Sequence, residues 1–183
     1  MPESHRVDTR RAYTGRVINL DIDTVRYPNG SVGEQEMVRH PGASAVVPFL
    51  SDPWAEDPQI LLLKQYRYAA EGFLYEIPAG RLHASEMPEE CARRELLEET
   101  GYFAARVQPL LSFYTTPGFT DERIHTFVAS GLTYKTPNRE PDEFIEVEAH
   151  PLSAVLAMID GGEIMDAKTA LSLLFLARVQ RSL

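Results

Sequence analysis

Cysteine is almost missing from this chain of 183 residues: Cys91 stands alone. An internal disulfide is therefore impossible, which agrees with a reducing compartment. Basic residues are scarce too. Eighteen Lys and Arg face 27 Asp and Glu, for a net charge of −9. That balance argues against a nucleic-acid backbone as the main partner, since phosphate contacts need a basic face. It leaves room for a small phosphate ligand, because phosphate can reach an acidic site in the company of divalent cations. Long apolar runs are also absent. Stretches such as "GASAVVPFL" and "LSLLFLA" are far too short to span a bilayer. The opening "MPESHRVDTRR" lacks the apolar core of a secretory signal. The resulting expectation is a cytoplasmic protein with neither nucleic acid nor membrane as partner.

What is present suits one domain of ordinary size. A hydrophobic content of 44% with 25% charged residues is that of a soluble globular protein with a real core. Residues 1–12 are polar and expected to fray. Val17, Ile18, Leu20, Ile22 and Val25 suggest a strand, and Met37 and Val38 another. Asn29-Gly30 between them signals a hairpin turn. "ASAVVPFL" (43–50) and "QILLLKQYR" (59–67) read as buried strands around the surface loop "SDPWAEDP". "FLYEIPAG" (73–80) reads as one short strand. A helix follows, with Pro88 in its first turn and Gly101 as its C-terminal cap. "ARVQPLLSFYTT", "RIHTFVASGL" and "EFIEVEAH" are further strands. "LSAVLAMIDGG" is a helix stopped by glycines, and a closing helix starts with Asp166 as N-cap. Strands interleaved with three helices predict an α/β fold, with mixed sheets covered by helices.

The helix after Pro88 carries the chemistry. Glu95 and Glu99 are four residues apart and share a face, and Glu98 lies beside them. Unopposed, three carboxylates within a turn and a half repel one another. Arg94 can pair with Glu98, yet one arginine cannot neutralise the group. Ala92, Leu96 and Leu97 form the opposite face, apolar enough to pack on a sheet. A solvated acidic face would account for glutamates at this spacing taken alone. The glutamates, however, do not alternate with lysines, and they follow the loop "PAGRLHASE". Hard divalent cations such as Mg²⁺ or Mn²⁺ take several oxygen ligands and relieve such repulsion.

The segment resembles the Nudix box, G-x5-E-x7-R-E-U-x-E-E-x-G-U, with U a bulky aliphatic residue. Gly80, Glu86, Arg94, Glu95, Leu96, Glu98, Glu99 and Gly101 all fall in register. Only Tyr102 departs, at the final aliphatic position, which bears on packing and not on metal binding. The resemblance implies the Nudix fold, an α/β/α sandwich, and metal-dependent attack of water on the diphosphate of a nucleoside diphosphate derivative. It further implies Glu95 and Glu99 as main metal ligands, shared by Glu98, with the backbone carbonyl of Ala79 completing the set. Arg94 then orients the glutamates through an ion pair, and Glu86 braces the loop. Mg²⁺ is the implied cofactor, with Mn²⁺ able to substitute.

Other stretches resemble the ADP-ribose pyrophosphatase subfamily. Pro117, sixteen residues after Gly101, and Gly118 lie in "FYTTPGFTDE", which matches a subfamily signature at the substrate. A Pro-Gly turn would explain Pro117-Gly118 unaided, but explains "FTDE" less well. In "EPDEFIEVEAHPL", Glu143 matches a loop glutamate that serves as metal ligand or general base, and Glu140 and Asp142 are neighbouring alternatives. Whether Glu98 or Glu143 takes the proton stays open. Arg67 in "LLLKQYRY" matches an arginine on the diphosphate, a surface salt bridge being its other reading. Glu36 matches a substrate-side glutamate, while Gln35 stands where family members often carry arginine. The sequence does not identify the adenine-stacking aromatic: Tyr13, Tyr27 and Trp54 are candidates, but each reads better as a packing residue. By the same resemblance, residues 1–40 form a small antiparallel β-subdomain that pairs two subunits, and residues 41–183 form the hydrolase domain. The implied reaction is hydrolysis of ADP-ribose to AMP and ribose 5-phosphate by a homodimer. Alternatives are another nucleotide sugar or dinucleotide as substrate, or a non-catalytic module that binds ADP-ribose.

Overall fold

The polar leading segment is paired, not frayed. The computed structural model describes residues 5–137 and 144–180, and in it His5–Thr14 forms strand β1. Every residue of β1 is exposed, so no apolar pattern could announce it. It is held by an antiparallel ladder to β2 (Asn19–Arg26), from His5 opposite Arg26 to Thr14 opposite Asn19. Side chains reinforce the ladder. Thr9 Oγ1 donates to Asp23 Oδ1 at 2.6 Å, and Arg11 Nε donates to Asp21 Oδ1. Strand β2 begins at Asn19 rather than Val17, because Gly15 N–H donates to the Ile18 carbonyl at 2.9 Å and turns the chain.

The expected hairpin joins β2 to β3 (Val32–Arg39). Gly30 sits at φ +86°, the left-handed conformation that a glycine turn needs. Asn29 Oδ1 accepts from the Ser31 amide at 3.0 Å and pins the turn. The sheet order is β1-β2-β3.

The chain forms two compact units. One comprises Met1–Gly42 with Phe113–Arg123; the other comprises Ala43–Ser112 with Ile124–Leu183. In the first, the segment after Pro117 is stitched to the end of β3. Thr120 Oγ1 donates to the Val38 carbonyl at 3.0 Å, and Asp121 Oδ1 accepts from the His40 amide at 2.8 Å. Arg39 pairs with Asp121 as well as with buried Asp21 and Asp23. These bonds account for Thr120 and Asp121 of the "FTDE" motif structurally.

Among the described residues, the second unit holds one mixed sheet, one antiparallel sheet and three α-helices. β4 (Ala43–Pro48), β7 (Ala79–Arg81), β8 (Tyr102–Tyr114) and β9 (Arg123–Tyr134) form a sheet of order β7-β4-β9-β8, in which β4 and β9 run parallel. β5 (Gln59–Arg67), β6 (Gly72–Glu76) and β10 (Ile145–Pro151) form the other, of order β10-β5-β6. The residues 73–80 are thus not one strand but two, in different sheets. Pro78 has no amide proton with which to continue a ladder. The Ile77 amide instead donates to Thr169 Oγ1 at 2.9 Å, and the Pro78 carbonyl accepts from Val46 at 2.9 Å.

Helix α1 (Pro88–Thr100) packs on β4 and β7, α2 (Leu152–Asp160) on β10, and α3 (Ala167–Gln180) against β4 and β6. Ala92 and Leu96 of α1 are fully buried in a cluster with Val46, Ala104, Val107, Phe127 and Ala129. Burial of a leucine-sized side chain stabilises by roughly 2 kcal/mol, which anchors α1 against rotation. Asp166 caps α3, accepting from the Thr169 amide at 3.0 Å. Among the described residues no helix is long and apolar enough to cross a membrane.

Candidate active site

Helix α1 is bounded by local chemistry. Glu90 Oε2 accepts from the Met87 amide at 3.1 Å, satisfying a donor at the helix start, and Pro88 occupies its first turn. Gly101 ends it at φ +78°, its amide donating to the Leu97 carbonyl at 2.9 Å. Because Ala92 and Leu96 are locked in the core, the glutamate face has a fixed direction. It points at β7 and the loop that follows. Glu99 is 2% exposed and Glu95 8%. These two are not on a solvated face, and burying carboxylates demands compensation.

The compensation is specific. Glu99 Oε2 accepts from the Ala79 amide at 3.0 Å. Glu95 lies against Gly80 so closely that a Cβ there would fall 1.9 Å from Glu95 Oε1. Arg94 then gathers the rest. Its Nη1 donates to Glu95 Oε1 at 2.5 Å and to Glu98 Oε2 at 3.0 Å. Its Nε and Nη2 grip Glu86 at 2.8 and 3.0 Å, a two-pronged contact suited to the planar guanidinium. Nη2 also donates to the Arg81 carbonyl at 3.1 Å.

Glu86 also accepts from the His83 amide at 2.9 Å within the loop before α1. The Arg94 guanidinium holds the Glu86 carboxyl down at about 2. The Cys91 thiol, 3.5 Å from the Gly80 carbonyl, is pushed up to about 11 by burial and then by Glu95, so it stays a neutral packing group.

Ala79, Gly80, Glu86, Arg94, Glu95, Glu98, Glu99 and Gly101 all belong to the second unit, where Arg94 joins Glu86, Glu95 and Glu98, Gly80 lies against Glu95, and Ala79 meets Glu99. Arg67 belongs to that unit as well. Glu36, Pro117 and Gly118 belong to the first, where all three are exposed. Gln35 donates to the Tyr27 hydroxyl at 2.9 Å and so has a structural task in the hairpin. Tyr13 and Trp54 are 58% and 63% exposed, so neither is a core packing residue. Glu143, with its neighbours Glu140 and Asp142, lies outside the described residues.

One residue of consequence escaped the sequence reading. Glu76, 2% exposed, is gripped by Arg67 through Nε at 2.6 Å and Nη2 at 2.9 Å, and by Lys168 Nζ at 2.5 Å. Its signal was a lone carboxylate beside Ile77 in an otherwise apolar strand end. Such a group, once buried, demands cations.

Chemically, the helix face is a set of hard oxygen donors. Among the described residues no three Asp, Glu, His or Cys side chains stand converged as a finished metal shell, since Arg94 stands amid Glu86, Glu95 and Glu98. The donor set nonetheless fits a hard divalent cation. All its ligating groups are oxygens, two carboxylates are buried and so aimed, and the bare Gly80 leaves space beside Glu95 that any side chain would fill.

Comparison with known proteins agrees with this geometry. Residues 39–169 match the NUDIX domain model. The chain is 39% identical over 176 residues to the ADP-ribose pyrophosphatase of Bacillus subtilis (strain 168), covering 95% of this chain and 92% of that one. It is equally 39% identical, over the same lengths, to the methanol dehydrogenase activator of Bacillus methanolicus. A crystal structure described as an ADP compounds hydrolase superposes with a TM-score of 0.82 at 18% identity, covering 98% of this chain and 95% of that one, a likeness of fold. Box residues in register, the burial of Glu95 and Glu99 on α1 and these matches lead to one conclusion: the chain is a member of the NUDIX family, a pyrophosphohydrolase with the Nudix fold.

Proposed function

We propose that this enzyme hydrolyses the diphosphate of ADP-ribose, and of related ADP-sugars, to AMP and the sugar phosphate. The observation that carries the reading is the buried pair Glu95 and Glu99, set against Gly80 and the Ala79 amide with Arg94 amid the neighbouring carboxylates. The family depends on a divalent metal, and Mg²⁺ is the cation we assign, with Mn²⁺ as substitute. Glu95, Glu98, Glu99 and the Ala79 carbonyl would hold it. When bound, the metal supplies positive charge to the diphosphate and acidifies the attacking water. Arg94 orients the glutamates, Glu98 or Glu143 takes the proton from water, and Arg67 contributes a donor to a phosphate oxygen. Glu36, Pro117 and Gly118 contribute to holding the substrate.

Two subunits associate through the β1-β2-β3 sheet of residues 1–40, and residues 41–183 carry the reaction. The sheet's outer strand β1 is exposed along its length and offers a surface for a second copy. A cytoplasmic setting agrees with the lone buried Cys91. Incubation of the purified protein with ADP-ribose and Mg²⁺ tests the substrate, with AMP as readout. Absence of AMP, with turnover of another nucleotide sugar or dinucleotide, would reassign it. The equal likeness to a methanol dehydrogenase activator favours a second role, activation of an alcohol dehydrogenase by this hydrolase. Following alcohol oxidation by a methanol dehydrogenase with and without the protein tests that role.

A further inference from the structure

The segment Glu76-Ile77-Pro78-Ala79 connects the two sheets of the second unit, and each of its four residues is tied to something different. Glu76 holds Arg67 and Lys168, the Ile77 amide donates to Thr169, the Pro78 carbonyl accepts from Val46, and the Ala79 amide donates to Glu99. Two of those partners, Lys168 and Thr169, come from the first turn of α3, which Asp166 caps. Asp166 also pairs with Lys168 Nζ at 3.0 Å.

The charges in this network balance. Two carboxylates, Glu76 and Asp166, face two cations, Arg67 and Lys168, and Glu76 has its desolvation answered on both oxygens. The arrangement is also directional. The Nε and Nη2 donors of Arg67 are committed to Glu76, and among the described residues Nη1 has no partner. The Arg67 side chain is 41% exposed while Glu76 is almost wholly enclosed, so the carboxylate of the pair is dry while the arginine side chain still reaches water. After Glu76, the nearby carboxylates of Glu99 and Asp166 further favour the charged guanidinium. An arginine held by one edge loses little further freedom on meeting an anion with the other.

We propose that Glu76 and Lys168 are positioning residues for the hydrolase reaction: Glu76 fixes Arg67 with its free guanidinium edge toward a substrate phosphate oxygen, and Lys168 cancels the Glu76 charge that would otherwise repel the diphosphate. The inference rests on the reading of the protein as a diphosphate hydrolase. It makes α3 a part of the substrate site, although no residue of α3 belongs to the Nudix box.

A double-mutant cycle tests it. Glu76→Gln and Arg67→Ala are made singly and together, with KM and kcat measured for ADP-ribose, alongside melting temperatures. Each single variant should raise KM roughly ten- to hundredfold, the range for one charged hydrogen bond, with a smaller change in kcat. The double variant should be no worse in KM than Arg67→Ala alone, because Glu76 acts only through Arg67. Additive effects on KM, or a fall in kcat and melting temperature with unchanged KM, would overturn the proposal and leave Glu76 a structural ion pair. Lys168→Met supplies a second measurement if Glu76→Gln does not fold. It should raise the Kd for a non-hydrolysable ADP-ribose analogue, measured by calorimetry, and an unchanged Kd overturns the role of Lys168. Failure of the wild-type protein to hydrolyse ADP-ribose would reject the substrate reading instead, and the cycle would then be run on whichever diphosphate is turned over.

Discussion

Gly80 and Glu95 touch so closely that no side chain can stand between them: a Cβ on Gly80 would lie 1.9 Å from Glu95 Oε1. The obstruction is the tip of a flexible side chain and not backbone. Gly80→Ala should therefore fold, with melting temperature lowered by only a few degrees, while Glu95 is displaced from its position. The expected outcome is a loss of Mn²⁺ affinity of about tenfold or more, read by calorimetry. Unchanged affinity would mean that Glu95 is not a ligand.

Glu99 is the most enclosed carboxylate of the helix face, and its Oε2 receives the Ala79 amide. Glu99→Gln keeps the shape and an acceptor oxygen but removes the charge. Activity should fall by roughly a hundredfold or more, with the circular dichroism spectrum and melting profile close to wild type. Mn²⁺ should stabilise the wild-type protein by mass action and this variant far less. An active Glu99→Gln enzyme would show the metal site to be elsewhere.

Acid sensitivity should trace partly to Glu86. Its carboxyl is held at about 2 by Arg94 in the folded chain, below its ordinary value of 4.5. A lowered folded-state value contributes stability in full above the unfolded value, and that contribution is lost as pH falls toward about 2. Glu86→Gln should therefore be less stable than wild type at pH 7, and the gap should close between about pH 4.5 and pH 2. Urea denaturation across that range, without metal, measures it. A gap independent of pH would remove the charge from the explanation.

In the first unit, Asp121 ties the segment after Pro117 to β3 through the His40 amide and Arg39. Asp121→Ala removes both acceptors and leaves Arg39 to Asp21 and Asp23. A loss of about 1–2 kcal/mol in unfolding free energy is expected, measurable by denaturant titration. Hydrogen exchange at the Thr120 and Asp121 amides should quicken. Unaltered exchange there would show that the backbone bonds to Val38 suffice.

The sequence by itself determined the reaction class, because the Nudix box is local: its eight positions lie within one short strand, the loop after it, and one helix with its cap, and a helix converts spacing into facing by geometry alone. Glu95, Glu98 and Glu99 had to lie within one stretch of the helix surface once Ala92 and Leu96 were buried. The hairpin at Asn29-Gly30, the caps at Asp166 and Gly101 and the apolar strands β4 and β5 were legible for the same reason. Only the tertiary structure decided what depends on distant partners. It buried Glu95 and Glu99, split residues 73–80 between two sheets, and recruited the polar β1 as a strand through backbone pairing and the carboxylates of Asp21 and Asp23. It also set Glu76 between Arg67 and Lys168, which is 92 residues away in the chain. A buried ion pair leaves no periodicity in a sequence, since either partner alone looks like any surface charge until the fold removes the water between them.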